Sequence, residues 1–194
     1  MSSHRLLVIV ASTRPGRVGP SVAAWLTSAV AADGRFEVDL ADLAEIDLPL
    51  MDEPNHPRLR RYVHEHTRAW GARVDAADAV LVVTPEYNHS FPASLKNAID
   101  YLHHEWADKP VAFASYGGVS GGLRSVTALK PVFAALRAVP IPEGVVVPNV
   151  FAQLTEGVFI PSKPNLDGLR ATLDELDRWA PALRQLRSRT GQAA

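Results

Sequence analysis

The sequence predicts an α/β protein built as a doubly wound sheet of five parallel strands in the order 2-1-3-4-5. Three observations carry this reading: continuous apolar runs of strand length, helix-period segments after each run, and turn-rich loops between run and helix. Parallel strands need crossovers, and right-handed crossovers place helices on both sheet faces. Strands covered on both sides then read as unbroken apolar runs.

Residues 6–11 (LLVIVA) are the first such run. After Gly19 and Pro20, the residues Val22, Trp25, Leu26, Ala29 and Val30 recur at helical spacing, and Pro20 suits a first helical turn. Residues 36–40 read as a shorter strand and 46–57 as a proline-broken loop. Leu59, Tyr62, Val63, His66, Trp70 and Val74 then mark one face of a helix. Residues 79–84 (AVLVVT) form the second strongly buried strand, and the next helix carries Leu95, Ala98, Ile99 and Leu102. Ser90 or Phe91 is expected near its cap and Pro92 in its first turn.

Residues 111–115 are the next buried run. A glycine loop at 117–122 follows, then a helix through Val126, Leu129, Phe133 and Leu136, which Pro131 should kink. Residues 144–150 give the fifth strand, and 152–164 an extended loop or small β-hairpin. Leu169, Leu173, Leu176, Ala180, Leu183 and Leu186 mark the closing helix.

With 194 residues, 47% hydrophobic and 21% charged, the chain is expected to form one compact domain over 1–194. A net charge of -1 provides no broad electrostatic footprint for nucleic acid, and the scattered arginines are expected to be solvated surface. The absence of cysteine excludes disulfides, thiolate metal sites and cysteine nucleophiles, so redox chemistry would require a cofactor. The opening apolar run is too short for a secretory leader, and nothing approaches the roughly 20 apolar residues of a membrane span. A cytoplasmic protein with no membrane partner is expected.

In an open parallel sheet the ligand crevice lies beyond the carboxyl ends of the strands, where strand order reverses. Strands one, three and four deliver their loops there, and these are the three loops of unusual composition. The first (STRPGRVGPS, 12–21) combines hydroxyls, two Arg and two Gly ahead of a helix N-terminus, a donor set suited to a phosphate. A strand-to-helix turn also needs Gly and Pro for its own sake. The second (PEYNHS, 85–90) offers a ring, an amide and backbone donors, and reads equally as a tight turn. The third (YGGVSGG, 116–122) lets backbone approach a flat ligand closely.

Two rival motifs fail on spacing. Gly118-Val119-Ser120-Gly121-Gly122 matches the G-x-S-x-G nucleophile elbow, but that fold places its His after the Ser, and all seven His here precede Ser120. His64, Glu65, His66, His103, His104 and Glu105 lack the helical H-E-x-x-H spacing, so no metal is expected.

Taken together, the stretches VIVASTRPGRVGPSVAAW (8–25), TPEYNHSFPASLKNAIDYL (84–102) and ASYGGVSGGLRSV (114–126) resemble the NADPH-dependent FMN reductases. This flavodoxin-like family includes quinone, azo and chromate reductases. One departure is Ala11, where many relatives carry Gly. The resemblance implies a flavodoxin-like fold, FMN as cofactor and NADPH or NADH as electron donor, with hydride passing through flavin N5 to a small-molecule acceptor such as a quinone, free flavin or azo compound. It implies that Ser12, Thr13, Arg14, Arg17, Gly19, Ser21 and Val22 hold the FMN phosphate, and that Pro85, Glu86, Tyr87 and Asn88 line the isoalloxazine and ribityl region. Ser115, Tyr116, Gly117, Gly118 and Ser120 would close over the pyrimidine side, and Tyr87, Asn88 and His89 would shape the second-substrate side.

Because the flavin carries the chemistry, no side chain is expected to act as nucleophile or general base. Backbone N–H groups of the glycine loop are expected to stabilise negative charge on the reduced flavin. Family members are commonly homodimers, with a homotetramer also open. Phe91, Tyr101 and Trp106 are offered either to that contact or to helix-core packing. A flavodoxin-like electron carrier or flavin sensor is the alternative, though the near-neutral charge lacks the acidic docking surface such carriers present.

Overall fold

A computed structural model describes residues 4–189. In chain order the elements are β1 (His4–Val10), α1 (Gly19–Asp33), β2 (Phe36–Asp42), α2 (Leu43–Ile46), α3 (Glu65–Asp75), β3 (Ala79–Pro85), α4 (Ala93–Asp100), β4 (Pro110–Tyr116), α5 (Leu123–Ala135), β5 (Val139–Val147), β6 (Leu154–Thr155), β7 (Val158–Phe159) and α6 (Lys163–Arg189). Five strands pair in parallel in the order β2-β1-β3-β4-β5, as expected, and β6 and β7 form a separate antiparallel hairpin.

Alternate residues of the central strands feed two cores. Leu6, Val8, Val10, Leu81 and Val83 pack with Val22, Leu26 and Leu173 beneath α1 and α6. Leu7, Ile9, Val80 and Val82 pack with Trp70, Leu95, Trp106 and Phe133 on the opposite face. Every residue of β3 and β4 is buried, which explains why those runs were continuous in sequence. Tyr101 and Trp106 are fully buried here, so core packing and not a subunit contact accounts for them. The Trp106 indole N–H donates to the Ile99 carbonyl, and the Tyr101 hydroxyl donates to Asp52.

Four boundaries depart from expectation. The helix expected from Leu59 starts at Glu65, because Arg60 sits in the left-handed region and Leu59 ends a 3₁₀ turn, Pro57–Leu59. Pro92 is the N-cap of α4, with extended backbone, and not a first-turn residue. The short α2 was unforeseen: Asp42 ends β2 and at once accepts from the Ala44 amide as a cap. The fifth strand runs over Val139–Val147, not 144–150. Its prolines, Pro140 and Pro142, read as breakers, but an edge strand tolerates residues without an N–H, and the register shifts between Val111 and Phe113 to accommodate them. Residues 150–153 form a 3₁₀ turn instead. Helix α5 continues through Pro131, and of the two readings of residues 152–164, extended loop or small hairpin, the structure contains the hairpin.

Candidate active-site cleft

The loops after β1, β3 and β4 meet at the carboxyl edge, as the strand order requires, and a cleft of about 460 Å³ opens between them. It is lined by Arg14, Arg17 and Val18 from the first loop, residues 85–88 from the second and residues 116–118 from the third, with Val150 and Phe151 beyond β5.

The first loop leads into α1, whose N-cap, Val18, makes no side-chain capping bond. The Val18 and Gly19 amides donate to no group of the described chain, so the head of the helix presents free N–H groups with the favourable end of its dipole. Beneath them lie Ser12, fully buried, and Tyr116, 5% exposed. Neither hydroxyl satisfies hydrogen-bond geometry with a group of the described chain. Burial pushes the Tyr116 phenol up to about 12, against the opposing influence of Ser12, Arg17 and Arg14. Gly19 makes room for both oxygens: a Cβ there would collide with Ser12 Oγ and come within 2.9 Å of the Tyr116 oxygen.

Arg17 is held in place. Its guanidinium donates to both oxygens of Asp42 at 2.6 and 2.8 Å and to the Ser12 carbonyl at 2.8 Å. The hydrogen bonds to Asp42 raise its pKa against the cost of burial, so the cation is fixed. Arg14 is exposed at the cleft. Ser21 is not among the residues lining the cleft, and its hydroxyl accepts from the Phe159 amide at 2.7 Å and so anchors the β6–β7 hairpin. The Val22 side chain is wholly in the core, and Thr13 lines a neighbouring depression with Leu43, Leu50 and Asn97.

The second loop is a tight turn. Tyr87 and Ser90 exchange backbone hydrogen bonds at 2.8 and 2.9 Å, and Asn88 and His89 between them both take positive φ, the pattern of a type I′ hairpin. The turn aims Tyr87 and Asn88 into the cleft, while His89 is exposed and outside its lining. Glu86 is a tether: its carboxylate accepts from the Ser120 hydroxyl at 2.8 Å and pairs with Arg124 at 2.5 Å, joining the second loop to the third. Burial works to raise its pKa, but bonds from Arg124 and Ser120 hold it below the usual carboxylate range.

In the third loop Ser115 is buried and donates to the Gly121 carbonyl at 2.8 Å, outside the cleft lining. Gly122 has φ +84, and a Cβ there would lie 2.8 Å from the Tyr116 amide nitrogen, so the loop can close only with glycine at this position. The Gly118 and Val119 amides donate to no group of the described chain.

Ser120 is bonded to a carboxylate and not to a histidine, which removes the nucleophile reading. Ser120→Ala is expected to lower stability by about 1 kcal/mol through the lost bond to Glu86, measured by urea denaturation, with no esterase activity in either protein. Among the described residues no group of His, Asp or Glu side chains could hold a metal ion.

Sequence reasoning missed Asp42, Val18, Arg124, Val150 and Phe151. The partner of Arg17 had a signal: β2 adjoins β1, so an acid at the end of β2 faces the loop leaving β1.

A reversal of strand order, a helix head with free amides and a cleft walled by a tyrosine and a glycine loop define a flavodoxin-like architecture with an anion-binding cleft at its carboxyl edge. The chain matches the model for NADPH-dependent FMN reductase over residues 4–152 and belongs to that family, which makes it a flavin-dependent NAD(P)H oxidoreductase. It is 37% identical over 162 residues to an NAD(P)H-dependent FMN reductase of Schizosaccharomyces pombe, covering 81% of this chain and 80% of that one. It is 32% identical over 141 residues to a quinone reductase of Escherichia coli K12, covering 69% and 71%. The solved structure of FerB, a flavoenzyme NAD(P)H:(acceptor) oxidoreductase from Paracoccus denitrificans, superposes with a TM-score of 0.70 at 27% identity over 92% of this chain and 98% of that one.

Proposed function

We propose that this chain, acting as one domain, binds FMN in the carboxyl-edge cleft and transfers electrons from NADPH or NADH to a small planar acceptor such as a quinone, free flavin or azo compound. The observation that supports this most directly is the pair of buried, unpartnered hydroxyls, Ser12 and Tyr116, beneath free helix amides and beside two arginines. Unpaired buried polar groups cost free energy, and a phosphate placed there would accept from both hydroxyls and from the helix head. The donor set therefore fits the FMN phosphate. FMN, when bound, supplies a two-electron relay, so that NAD(P)H, a proton and a quinone yield NAD(P)⁺ and a hydroquinone.

The chain's own residues position and polarise. Arg14 and the Asp42-fixed Arg17 set positive charge at the phosphate end, while Tyr87 and Asn88 border the ring region. The Gly118 and Val119 amides supply preorganised donors where negative charge would develop. Ser115, Ser120, Ser21 and Val22 act on the cofactor indirectly, by shaping the loops and the helix head. The reductase names of the relatives favour turnover over an electron carrier or sensor.

We place the protein in the cytoplasm as a homodimer. No helix among the described residues is long and apolar enough to cross a membrane, and the homodimer rests on the family resemblance.

The test is to titrate the purified protein with FMN, following flavin fluorescence, and then to supply NADPH or NADH with 1,4-naphthoquinone. Saturable quenching and sustained nicotinamide oxidation are expected. No FMN binding, or binding without turnover, overturns the reading.

A further inference from the structure

We propose that Phe151 is the acceptor-recognition residue of this enzyme: an aromatic wall against which the ring of a planar second substrate stacks. The inference rests on the reading of the cleft as the flavin site and adds the residue that selects among acceptors.

Phe151 is 69% exposed and is the one Phe, Tyr or Trp among the described residues that falls in the exposed class. Every other such ring is at least partly covered, as the hydrophobic effect requires of groups this large. An uncovered phenyl ring on the lining of a ligand cleft forgoes that stabilisation, and a planar ligand would restore it.

The backbone that carries the ring is also firmly held. The Asn149 amide donates to the Gly118 carbonyl at 2.8 Å and the Val150 amide to the Gly117 carbonyl at 3.0 Å, so the segment is bonded directly to the glycine loop. Val150 is buried, and the Ala152 amide closes back on the Asn149 carbonyl at 2.8 Å. Behind it the β6–β7 hairpin is fixed by the Ser21 bond to the Phe159 amide and by the Phe159 ring lying 5.3 Å from that of Trp25. A segment held this way need not be ordered when a ligand docks, so the cost of binding is confined to the ring's own rotation.

Topology sets what the ring can face. With the order β3-β4-β5, the glycine loop after β4 lies between the Tyr87 turn and the Phe151 turn. The two aromatic side chains therefore flank the same glycine floor, and a planar molecule resting on that floor meets a ring on the side of β5. A non-planar inorganic acceptor such as ferricyanide, which does not stack, gains nothing from it.

The test compares wild type with Phe151→Ala, Phe151→Leu and Phe151→Tyr, using 1,4-naphthoquinone and ferricyanide as acceptors at saturating NADPH. Loss of the ring is expected to raise KM for naphthoquinone roughly threefold to tenfold, the usual strength of an aromatic pair, with a smaller rise for Phe151→Leu and recovery in Phe151→Tyr. KM for ferricyanide and the FMN dissociation constant should stay within about twofold. A parallel change for both acceptors overturns the assignment. So does a weakened FMN affinity, which would place the ring against the cofactor, or a changed sedimentation coefficient, which would show a second copy of the chain covering it. If wild-type protein binds no FMN at all, the flavin reading itself fails, an outcome separate from any effect of Phe151.

Discussion

Replacing Gly19 with alanine is expected to weaken FMN binding by about tenfold to a hundredfold, the range set by losing a hydrogen bond to a charged group, while the apoprotein still folds. Alanine suits a helical first turn better than glycine, so the backbone would accept it. The added methyl would instead take the space between Ser12 Oγ and the Tyr116 hydroxyl and push both from their positions under the helix head. Ser12→Ala separates recognition from stability in the opposite sense. It removes a buried hydroxyl that has no partner in the described chain, so the thermal midpoint of the apoprotein should stay level or rise while FMN affinity falls. Fluorescence titration and a melting curve on each variant check both halves. Unchanged affinity in the two variants would remove the phosphate from this corner of the cleft.

The second large effect is a dependence of stability on pH that traces to Lys109, at the opposite edge of the sheet. Its side chain is 1% exposed, and its ammonium donates to the carbonyls of Val74 and Asp75 at the end of α3. Burial lowers its pKa to about 7, with Arg187 adding to the effect and Asp75, Asp78 and Glu105 opposing it. Between about pH 7 and the ordinary lysine value near 10.4, the unfolded chain holds a proton that the folded chain does not. Stability is therefore lowest at and below neutrality and rises with pH through that window.

The span is worth about 4 to 5 kcal/mol, or roughly 8 to 20 °C in thermal midpoint for a chain of this length. The gain should reverse above about pH 10, where unfolded tyrosines ionise while Tyr116, raised to about 12, does not. Lys109→Met should flatten the rise and lower stability above about pH 9, where the neutral amine costs nothing to bury and the two carbonyls lose their donor. A wild-type midpoint that stays constant from pH 7 to 9.5 would contradict the assignment.

Much of this fold was legible because its signals are local. The runs of β1, β3 and β4 and the periods of α1, α5 and α6 followed from burial on both faces, and with them came the edge at which the three loops meet. The sequence was weaker wherever a residue's role depends on a partner far along the chain. The resemblance assigns Glu86 to the ring region and Ser120 to the pyrimidine side, but nothing local to either loop signals that they also hydrogen-bond each other across 34 positions. Ser21 is committed to Phe159 across 138 positions.

Arg17 has a partner in Asp42 that only strand order could supply, and β5 was displaced because its prolines look the same in sequence whether they end a strand or occupy its margin. Phe151 left no trace at all: an apolar residue in an irregular segment reads as core or as surface with equal ease, and only the folded chain leaves it uncovered.

The margin at β5 has a consequence for how copies of this chain can meet. A bare outermost strand is a template on which another molecule's backbone can extend the sheet, and such growth is the usual start of fibrillar deposits. Here Pro140 and Pro142 remove two amide donors from that row, and the slip in register between Val111 and Phe113 spoils its spacing. Concentrated solutions should accordingly resist conversion to cross-β material from this side, and an association of subunits across this margin has to be made by side chains and not by sheet extension.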